Sequence, residues 1–240
     1  FVPPPRHTWP PSVSGKVRWK TARLVPLSLT ATLLREEDLD QERWAADPVS
    51  GCLLPAGKHG VSSPPFRIGL RSTAPVDRIS QTSGESFASA CLEFTPGSGM
   101  WCLIVFANDG ARDPWPGKLR SAFRLLADSG FGGERSRGWG RSKPPQFQDV
   151  DVAQLIPRVQ TEGAEMAYWM LSLYSAATDD RVDWKRGDYT LVTRSGRAER
   201  SGILKRQSRM VEEGSVVFAG DAPVGKASDV APEGSAHPIY

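Results

Sequence analysis

A glycine- and arginine-rich stretch holds the residues best suited to bind a ligand: residues 129–143, SGFGGERSRGWGRSK. Glycine lets a backbone approach a ligand closely and adopt a positive φ without a steric penalty. Arginine presents a planar fork that matches phosphate, and tryptophan offers a face on which a base can stack. The stretch therefore favours a nucleic-acid backbone over a small metabolite. The predicted contact residues are Gly130, Gly132, Gly133, Arg135, Ser136, Arg137, Gly138, Trp139, Gly140 and Arg141.

Two familiar glycine motifs do not fit this stretch. A phosphate-cradling P-loop needs a lysine where Trp139 stands, and a dinucleotide fingerprint needs a glycine where Arg135 stands. An ordinary surface loop of glycine, serine and arginine remains an alternative. Trp139 either stacks on a base or packs against a neighbouring strand.

An amphipathic helix is predicted immediately before the glycines. Leu119, Phe123 and Leu126 recur at helical spacing within residues 117–128. Gly130 is then placed to end the helix in a left-handed conformation. We expect a strand after the loop, so that a helix, the loop and a strand follow in order.

The chain has 240 residues, 30 Lys and Arg against 27 Asp and Glu, and a formal net charge of +3. Its positive charge is uneven, because residues 194–209 contain six basic residues and one acidic residue. Such a stripe steers polyanions, although a solvated face is an equally good interpretation. The secondary RNA-binding candidates are Arg78, Arg194, Arg197, Lys205 and Arg206.

Other reactive side chains indicate no catalytic set, no metal and no cofactor. The three cysteines form no C-x-x-C pair, which favours a reducing cytoplasm and argues against structural zinc. No apolar run approaches the ~20 residues of a membrane span. His59 beside Lys58 could serve as an acid in RNA cleavage, but an exposed histidine is more often solvated. Asp179, Asp180 and Asp183 are interpreted as a solvated loop rather than a metal site.

Apolar patterning predicts short elements in a loop-rich chain with 23 glycines and 20 prolines. Strands are predicted at residues 16–25, 66–72, 87–94, 100–106, 166–175 and 189–194, and a helix at 27–42. Residues 87–94 and 100–106 are expected to pair as a hairpin, residues 45–65 to form a loop, and residues 203–211 and 215–218 to flank a turn. A hairpin, a helix, a loop and a strand in this order fit the second half of a ferredoxin-like unit.

Several segments resemble the RAMP superfamily, the RNA-binding proteins of CRISPR systems. LLADSGFGGERSRGWGR at 125–141 is similar to their glycine-rich loop. Residues 71–80 resemble their DR-x-T segment, and residues 87–93 resemble the strand that follows that segment. Residues 171–174 (LSLY), 189–197, 205–218 (KRQSRMVEEGSVVF) and 225–240 narrow the resemblance to the subunit-four family of type III-A (Csm) effector complexes. The pieces occur in family order over most of residues 66–240. Residues 1–5 resemble an internal stretch of that family, which predicts a fragment without its first strand, first helix and last few residues.

The resemblance implies an α+β protein of two ferredoxin-like (RRM-like) units, residues 1–150 and 151–240. The first unit would be incomplete, with the glycine-rich loop after its second helix. It also implies a cytoplasmic, non-catalytic subunit that holds the 5′ handle of the CRISPR RNA. Its partners would be the large polymerase/cyclase subunit and the backbone subunit three. Two alternatives stay open: a RAMP-type endoribonuclease that processes CRISPR RNA, and the equivalent subunit of a type III-B complex.

Overall fold

The computed structural model describes residues 1–57, 60–106, 108–156, 166–198 and 202–240. It combines short helices with small antiparallel sheets, which confirms the predicted mixture of helix and sheet. The chain forms two compact units, Phe1–Ser98 with Ile156–Tyr240, and Gly99–Leu155. The ferredoxin-like arrangement and the division at residue 150 stay predictions. No described helix has the length and apolar character that crossing a membrane requires.

Most of the helices and strands are short. The helices are α1 Val13–Arg18, α2 Thr30–Leu34, α3 Asp109–Arg112, α4 Pro116–Ser129 and α5 Val152–Leu155, with 3-10 turns at Leu27–Leu29 and Arg135–Arg137. The strands are β1 Trp44–Ala46, β2 Leu53–Gly57, β3 Gly60–Val61, β4 Phe66–Thr73, β5 Phe87–Phe94, β6 Met166–Trp169, β7 Val182–Asp188, β8 Leu191–Arg194, β9 Ser208–Val211 and β10 Val216–Ala219.

The first 57 residues contain the main apolar core, centred on the fully buried Trp19. Its ring stacks on Trp9 at 5.8 Å, and its indole Nε1 donates a hydrogen bond to the carbonyl of Trp44 at 3.1 Å. Trp169 and Leu171, from the C-terminal part of the same unit, pack against this core. The core therefore joins segments that lie far apart in sequence.

Three predictions for this region are wrong. Residues 16–25 form no strand, because the Ser12 hydroxyl accepts a hydrogen bond from the amide of Gly15 at 3.0 Å and begins α1. The helix predicted at 27–42 ends at Leu34, and Glu36 follows in a left-handed conformation at φ 56°. Residues 45–65 contain β2, whose Leu53 is fully buried in the core, rather than only a loop.

The hairpin partner predicted for β5 is also wrong. β5 pairs with β4 over eight residue pairs, whereas residues 101–106 form no strand. Glu93 on β5 supports this register, because its carboxylate accepts hydrogen bonds from Arg67 at 2.7 Å and Arg71 at 2.9 Å on β4. These two guanidinium groups hold the pKa of Glu93 below its usual value. These ion pairs add cross-strand stabilisation to a pairing that apolar alternation alone did not identify.

The opposite face of the β4–β5 hairpin is apolar and open. Cross-strand pairing places Ile68 opposite Leu92 and Leu70 opposite Ala90. Ile68, Leu70 and Leu92 are 60%, 76% and 56% exposed. The predicted strand at 87–94 is confirmed, but the face carrying Leu92 lies toward solvent.

The C-terminal part contains a three-stranded sheet in the order β6-β10-β7 and a separate β8–β9 hairpin. The predicted strand at 166–175 is confirmed only for its first four residues, and β6 lies at an edge. β10 is central, with Val217 fully buried. Sequence patterning missed β7, because VDWKRGD mixes charged and apolar residues without regular alternation.

A turn between β9 and β10 connects the two C-terminal sheets and the N-terminal segment. Gly214 adopts φ 85°, and a Cβ there would lie 2.9 Å from the carbonyl oxygen of Pro4. Its amide donates to the carbonyl of Met170 at 2.8 Å, and its carbonyl accepts from the amide of Arg6 at 2.9 Å. The hydroxyl of the fully buried Ser215 accepts from the amide of Thr190 at 3.3 Å. The E-G-S-V stretch that carries part of the family resemblance is therefore an architectural junction.

Candidate nucleic-acid interface

α4 is the element that positions the glycine- and arginine-rich loop. It confirms the predicted helix, and Leu119, Phe123 and Leu126 lie on its less exposed side. Pro116 occupies the first turn, where its missing N–H costs no helical hydrogen bond. Gly130 ends the helix with φ 93°, as expected, but its ψ of 151° is extended rather than left-handed. The chain therefore leaves the helix in a conformation that strongly favours glycine.

The loop closes on itself through backbone hydrogen bonds. The amide of Phe131 donates to the carbonyl of Gly140 at 3.1 Å, and the amide of Ser142 donates to the carbonyl of Ala127 at 3.1 Å. At the far end, the carbonyl of Glu134 accepts from the amide of Arg137 at 2.9 Å and from that of Trp139 at 3.4 Å. These bonds give the loop a defined shape, in contrast to an unstructured glycine-rich linker.

No strand follows the loop, so that prediction is wrong. Residues 142–150 have neither helical nor strand structure. Instead, the ring of Phe147 packs edge-on against Phe123 of α4 at 6.1 Å, and the guanidinium of Arg120 lies 5.6 Å from the Phe147 ring centroid. Aromatic packing therefore holds the segment after the loop against α4.

The loop glycines fall into three groups by the reason for their presence. A Cβ at Gly130 would lie 2.2 Å from the carbonyl oxygen of Trp139, and one at Gly140 would lie 2.0 Å from that of Phe131. Gly132 and Gly138 adopt positive φ values of 96° and 83°, with open space where a Cβ would point. Gly133 has neither constraint: its φ lies outside the left-handed region, and no heavy atom lies within 4 Å of its Cβ position. The fold explains four of these glycines and leaves Gly133 without an internal explanation.

The three loop arginines differ in their surroundings. Arg141 is exposed, and its guanidinium has no hydrogen bond or ion pair within the part of the chain that the structure describes. Arg137 forms an ion pair with Glu134, with 3.0 Å between Nη1 and Oε2. Arg135 is half-buried, and its Cγ lies 3.4 Å from the Cβ position of Gly130. Arg141 is thus the arginine most accessible to a phosphate.

The remaining two predicted contact residues of the loop are Ser136 and Trp139. Ser136 is exposed within the 3-10 turn, and Trp139 is half-buried. Both orientations proposed for Trp139, on a base or against the protein, stay predictions. The loop segment 129–143 contains four basic residues and one acidic residue, for a net charge of +3. A concentrated positive charge of this kind attracts phosphate.

Arg78 is exposed, in the connection between β4 and β5. The preceding Asp77 has a structural role, since its carboxylate accepts from the amides of Ile79 at 2.8 Å and Ser80 at 3.4 Å. These hydrogen bonds lower the pKa of Asp77. Arg78 is therefore presented by an ordered turn.

Each described arginine among the C-terminal candidates has a contact within its own chain. Arg206 is bound by Asp229, with 3.2 Å between its Nη2 and Oδ2, and Arg197 donates to the carbonyl of Gly202 at 2.8 Å. The guanidinium of Arg194 lies 4.0 Å from the carboxylate of Glu213. Lys205 is half-buried, and residues 199–201 lie outside the described part of the chain. These three arginines each contact an oxygen of their own chain, as Arg137 does in the loop, and their RNA-binding role stays a prediction.

Two arginines of the basic stretch lie on opposite faces of the β8–β9 hairpin. Arg194 pairs with Ser208, and Thr193 pairs with Arg209. Because successive strand residues point to opposite faces, Arg194 and Arg209 lie on opposite faces of the hairpin. These two arginines therefore do not belong to one surface stripe.

The residues considered for catalysis or metal binding give no assembled centre among those described. Lys58 and His59 lie outside the described residues. His7 packs its ring edge-on against Phe218 at 6.1 Å. In the described ranges, no three histidine, cysteine, aspartate or glutamate side chains come close enough to hold a metal ion. Asp183 lies in β7 rather than in a loop.

Asp180 has a structural role, so its interpretation as a solvated loop residue is wrong. Its Oδ2 accepts hydrogen bonds from the hydroxyl of Tyr174 at 2.8 Å and from the amides of Ala177 at 2.8 Å and Gly225 at 2.9 Å. Its Oδ1 accepts from the amide of Val224 at 2.9 Å. Burial raises the pKa of this carboxyl, but the four hydrogen bonds outweigh it and bring the pKa to about 2. Asp180 therefore fastens the segment after β10 to the chain before β7.

Sequence reasoning overlooked one charged residue of the loop, Glu134. It lies between Gly133 and Arg135 in a left-handed conformation at φ 56°, and its carboxylate binds Arg137. The sequence did contain a signal for this ion pair, since an acidic residue inside a basic stretch lies close to at least one of the arginines. The structure shows which one.

Residues 164–240 match the family of the CRISPR Csm4 C-terminal domain. The match covers about the last third of the chain and includes β6 to β10 together with the E-G-S-V junction. It confirms the resemblance to subunit four of type III-A complexes that the sequence segments predicted. No curated protein matches the chain.

Proposed function

Because residues 164–240 match the CRISPR Csm4 C-terminal domain, which marks a subunit of a type III Csm complex, we propose that the chain is the RNA-binding subunit four of such a complex. In this proposal the loop from Gly130 to Arg141 holds the backbone of the 5′ handle of the CRISPR RNA. The chain docks the large polymerase/cyclase subunit and the backbone subunit three in the cytoplasm. The two-unit ferredoxin-like arrangement belongs to the same proposal.

The observation that carries the RNA-binding role is the surface around Gly133. The loop is closed by its own hydrogen bonds, so it presents a defined surface rather than a collapsing chain. Gly133 lies on that surface without any internal reason for lacking a side chain, and Arg141 is exposed close by in the sequence. A backbone without a side chain, in a segment that carries exposed guanidinium groups, allows a phosphate close approach.

The subunit is proposed to act without catalysis of its own. RNA cleavage would need a base or acid within reach of the reacting atoms. His59, the histidine considered for cleavage, lies outside the described residues, and the described His7 packs its ring against Phe218. Asp180 is saturated with hydrogen bonds from its own chain. The polar groups of the described site therefore suit binding and orientation of phosphates.

A valine substitution at each of two glycines tests the proposal. Gly133→Val fills the space that a phosphate would approach, and Gly99→Val is the matched control, since Gly99 also has open space and an unstrained φ. The probe is single-stranded RNA carrying the repeat-derived 5′ handle. We expect Gly133→Val to weaken binding at least about five-fold at 0.1 M salt, because the loss of one phosphate contact has an effect of that size. Equal affinity of the two variants would show that the loop does not contact RNA.

The same preparation tests the alternative reaction. The chain is incubated with CRISPR repeat RNA, with and without a divalent metal ion. We expect intact RNA in every reaction. Specific cleavage that disappears in His59→Ala would overturn the non-catalytic proposal in favour of a processing endoribonuclease.

A further inference from the structure

Glu134 is the acidic side chain of a loop segment that otherwise carries only positive charge. Its left-handed φ of 56° is a conformation that favours glycine, and the two residues before it are glycines. The chain nevertheless places a carboxylate at this position. A reason for that side chain should therefore be found in what the carboxylate contacts.

The carboxylate contacts Arg137 across the 3-10 turn. Glu134 Oε2 lies 3.0 Å from Arg137 Nη1, and the two side chains are 38% and 48% exposed. The backbone supports the same geometry, because the carbonyl of Glu134 accepts a hydrogen bond from the amide of Arg137. A guanidinium binds carboxylate and phosphate oxygens through the same N–H donors. The Glu134 carboxylate therefore holds a position on Arg137 that a phosphate would take.

We propose that Glu134 is a built-in competitor for phosphate at Arg137, an inference that rests on the proposed RNA-binding role of the loop. RNA phosphate and the Glu134 carboxylate compete for the Nη1 group of Arg137. In the wild-type chain this arginine gives up an internal carboxylate when it binds phosphate. Arg141, which has no such partner among the described residues, binds phosphate by exchanging solvent ions.

This competition has a distinct electrostatic signature. Phosphate binding at a free arginine steepens the dependence of log K on log salt by about 0.7 for single-stranded RNA. An arginine that exchanges one anion for another contributes less to that dependence. Removing the Glu134 charge should therefore both strengthen binding and make it more sensitive to salt.

The test compares wild type with Glu134→Gln, which keeps the length and polarity of the side chain. The probe is single-stranded RNA that carries the repeat-derived 5′ handle, labelled at its 3′ end, and the measurement is anisotropy at several salt concentrations. We expect Glu134→Gln to bind about five-fold more tightly at 0.1 M salt and to steepen the slope by about 0.7. In an Arg137→Ala background, the same substitution should change neither quantity.

Other outcomes separate this inference from the proposed function. If Glu134→Gln leaves the slope unchanged or weakens binding, Glu134 only supports the turn, and the competitor role is wrong. Glu134→Gly adds a check, since it removes the charge and also relieves the left-handed backbone, and it should bind at least as tightly as Glu134→Gln. If Arg135, Arg137 and Arg141 can all be replaced by alanine without loss of RNA affinity, the RNA-binding role itself fails.

Discussion

Replacing Asp180 by asparagine tests the role of this residue in the C-terminal fold. The carboxylate accepts four hydrogen bonds, three at Oδ2 and one at Oδ1. An asparagine has one carbonyl oxygen, so its NH₂ group must face a donor that now has no acceptor. Hydrogen bonds to a charged group contribute about 1.5–3 kcal/mol each, and an unsatisfied donor costs about 1–3 kcal/mol. We expect Asp180→Asn to lower the free energy of unfolding by about 1–3 kcal/mol at pH 7.

The pH dependence of this loss follows from the pKa of Asp180. Folding lowers that pKa from 3.8 to about 2, so the carboxylate stabilises the folded state at pH values above 3.8. The stabilisation disappears as the pH falls from about 4 toward 2, because the folded state then also binds the proton. The difference between wild type and Asp180→Asn should be constant above about pH 5 and shrink below it.

Urea denaturation followed by tryptophan fluorescence measures both effects, since the chain has eight tryptophans. Asp179→Asn is the matched control, because Asp179 is exposed and its side chain makes no hydrogen bond or ion pair with other described residues. Tyr174→Phe removes one of the four donors to this charged carboxylate and should cost about 1.5–3 kcal/mol. Equal stability of Asp180→Asn and Asp179→Asn at pH 7 would refute the assignment of Asp180 as a fastening point.

Two further predictions concern the loop and the β4–β5 hairpin. Gly140→Ala should disorder the loop, because its Cβ would lie 2.0 Å from the carbonyl oxygen of Phe131, whereas Gly133→Ala should leave the loop intact. We expect faster amide hydrogen exchange at Phe131 in Gly140→Ala only. Equal exchange rates in the two variants would contradict this prediction. The exposed apolar face of the hairpin should promote self-association at micromolar concentration. Leu70→Lys should reduce light scattering more than Ser72→Lys, which adds the same charge on the same face, and equal effects of the two variants would show that charge alone matters.

The parts of the structure that sequence predicted are those encoded by local patterns. α4 follows from the spacing of Leu119, Phe123 and Leu126, and its end follows from a glycine that can adopt positive φ. The strands β4 and β5 were located because alternation is a local property. Family segments then identified the C-terminal domain, although the E-G-S-V segment among them is a structural junction rather than a contact surface.

The parts that were missed depend on contacts between residues far apart in sequence. β5 pairs with β4, with Glu93 bound to Arg67 and Arg71 across the ladder, and neither strand by itself reveals that pairing. The ion pair between Arg206 and Asp229, 23 residues later, could not be read from the basic stretch, and the RNA-binding role of Arg206 stays a prediction. Within the loop, Glu134 was overlooked because glycine and basic residue types alone predicted the phosphate contacts.

The most direct test of the central claim is the salt dependence of RNA binding by wild type and by a variant with Arg135, Arg137 and Arg141 all changed to alanine. The probe is single-stranded RNA with the repeat-derived 5′ handle, and Arg194→Ala with Arg197→Ala and Arg206→Ala is the control of equal charge. Each lost phosphate contact removes about 0.7 from the slope of log K against log salt, so the loop variant should be flatter by between about 1.4 and 2.1 units. The affinity and the slope of the control variant should lie closer to those of wild type than the values of the loop variant do. If the loop variant kept the wild-type affinity and slope while the control lost both, the loop would be structural and the C-terminal arginines would be the RNA-binding surface.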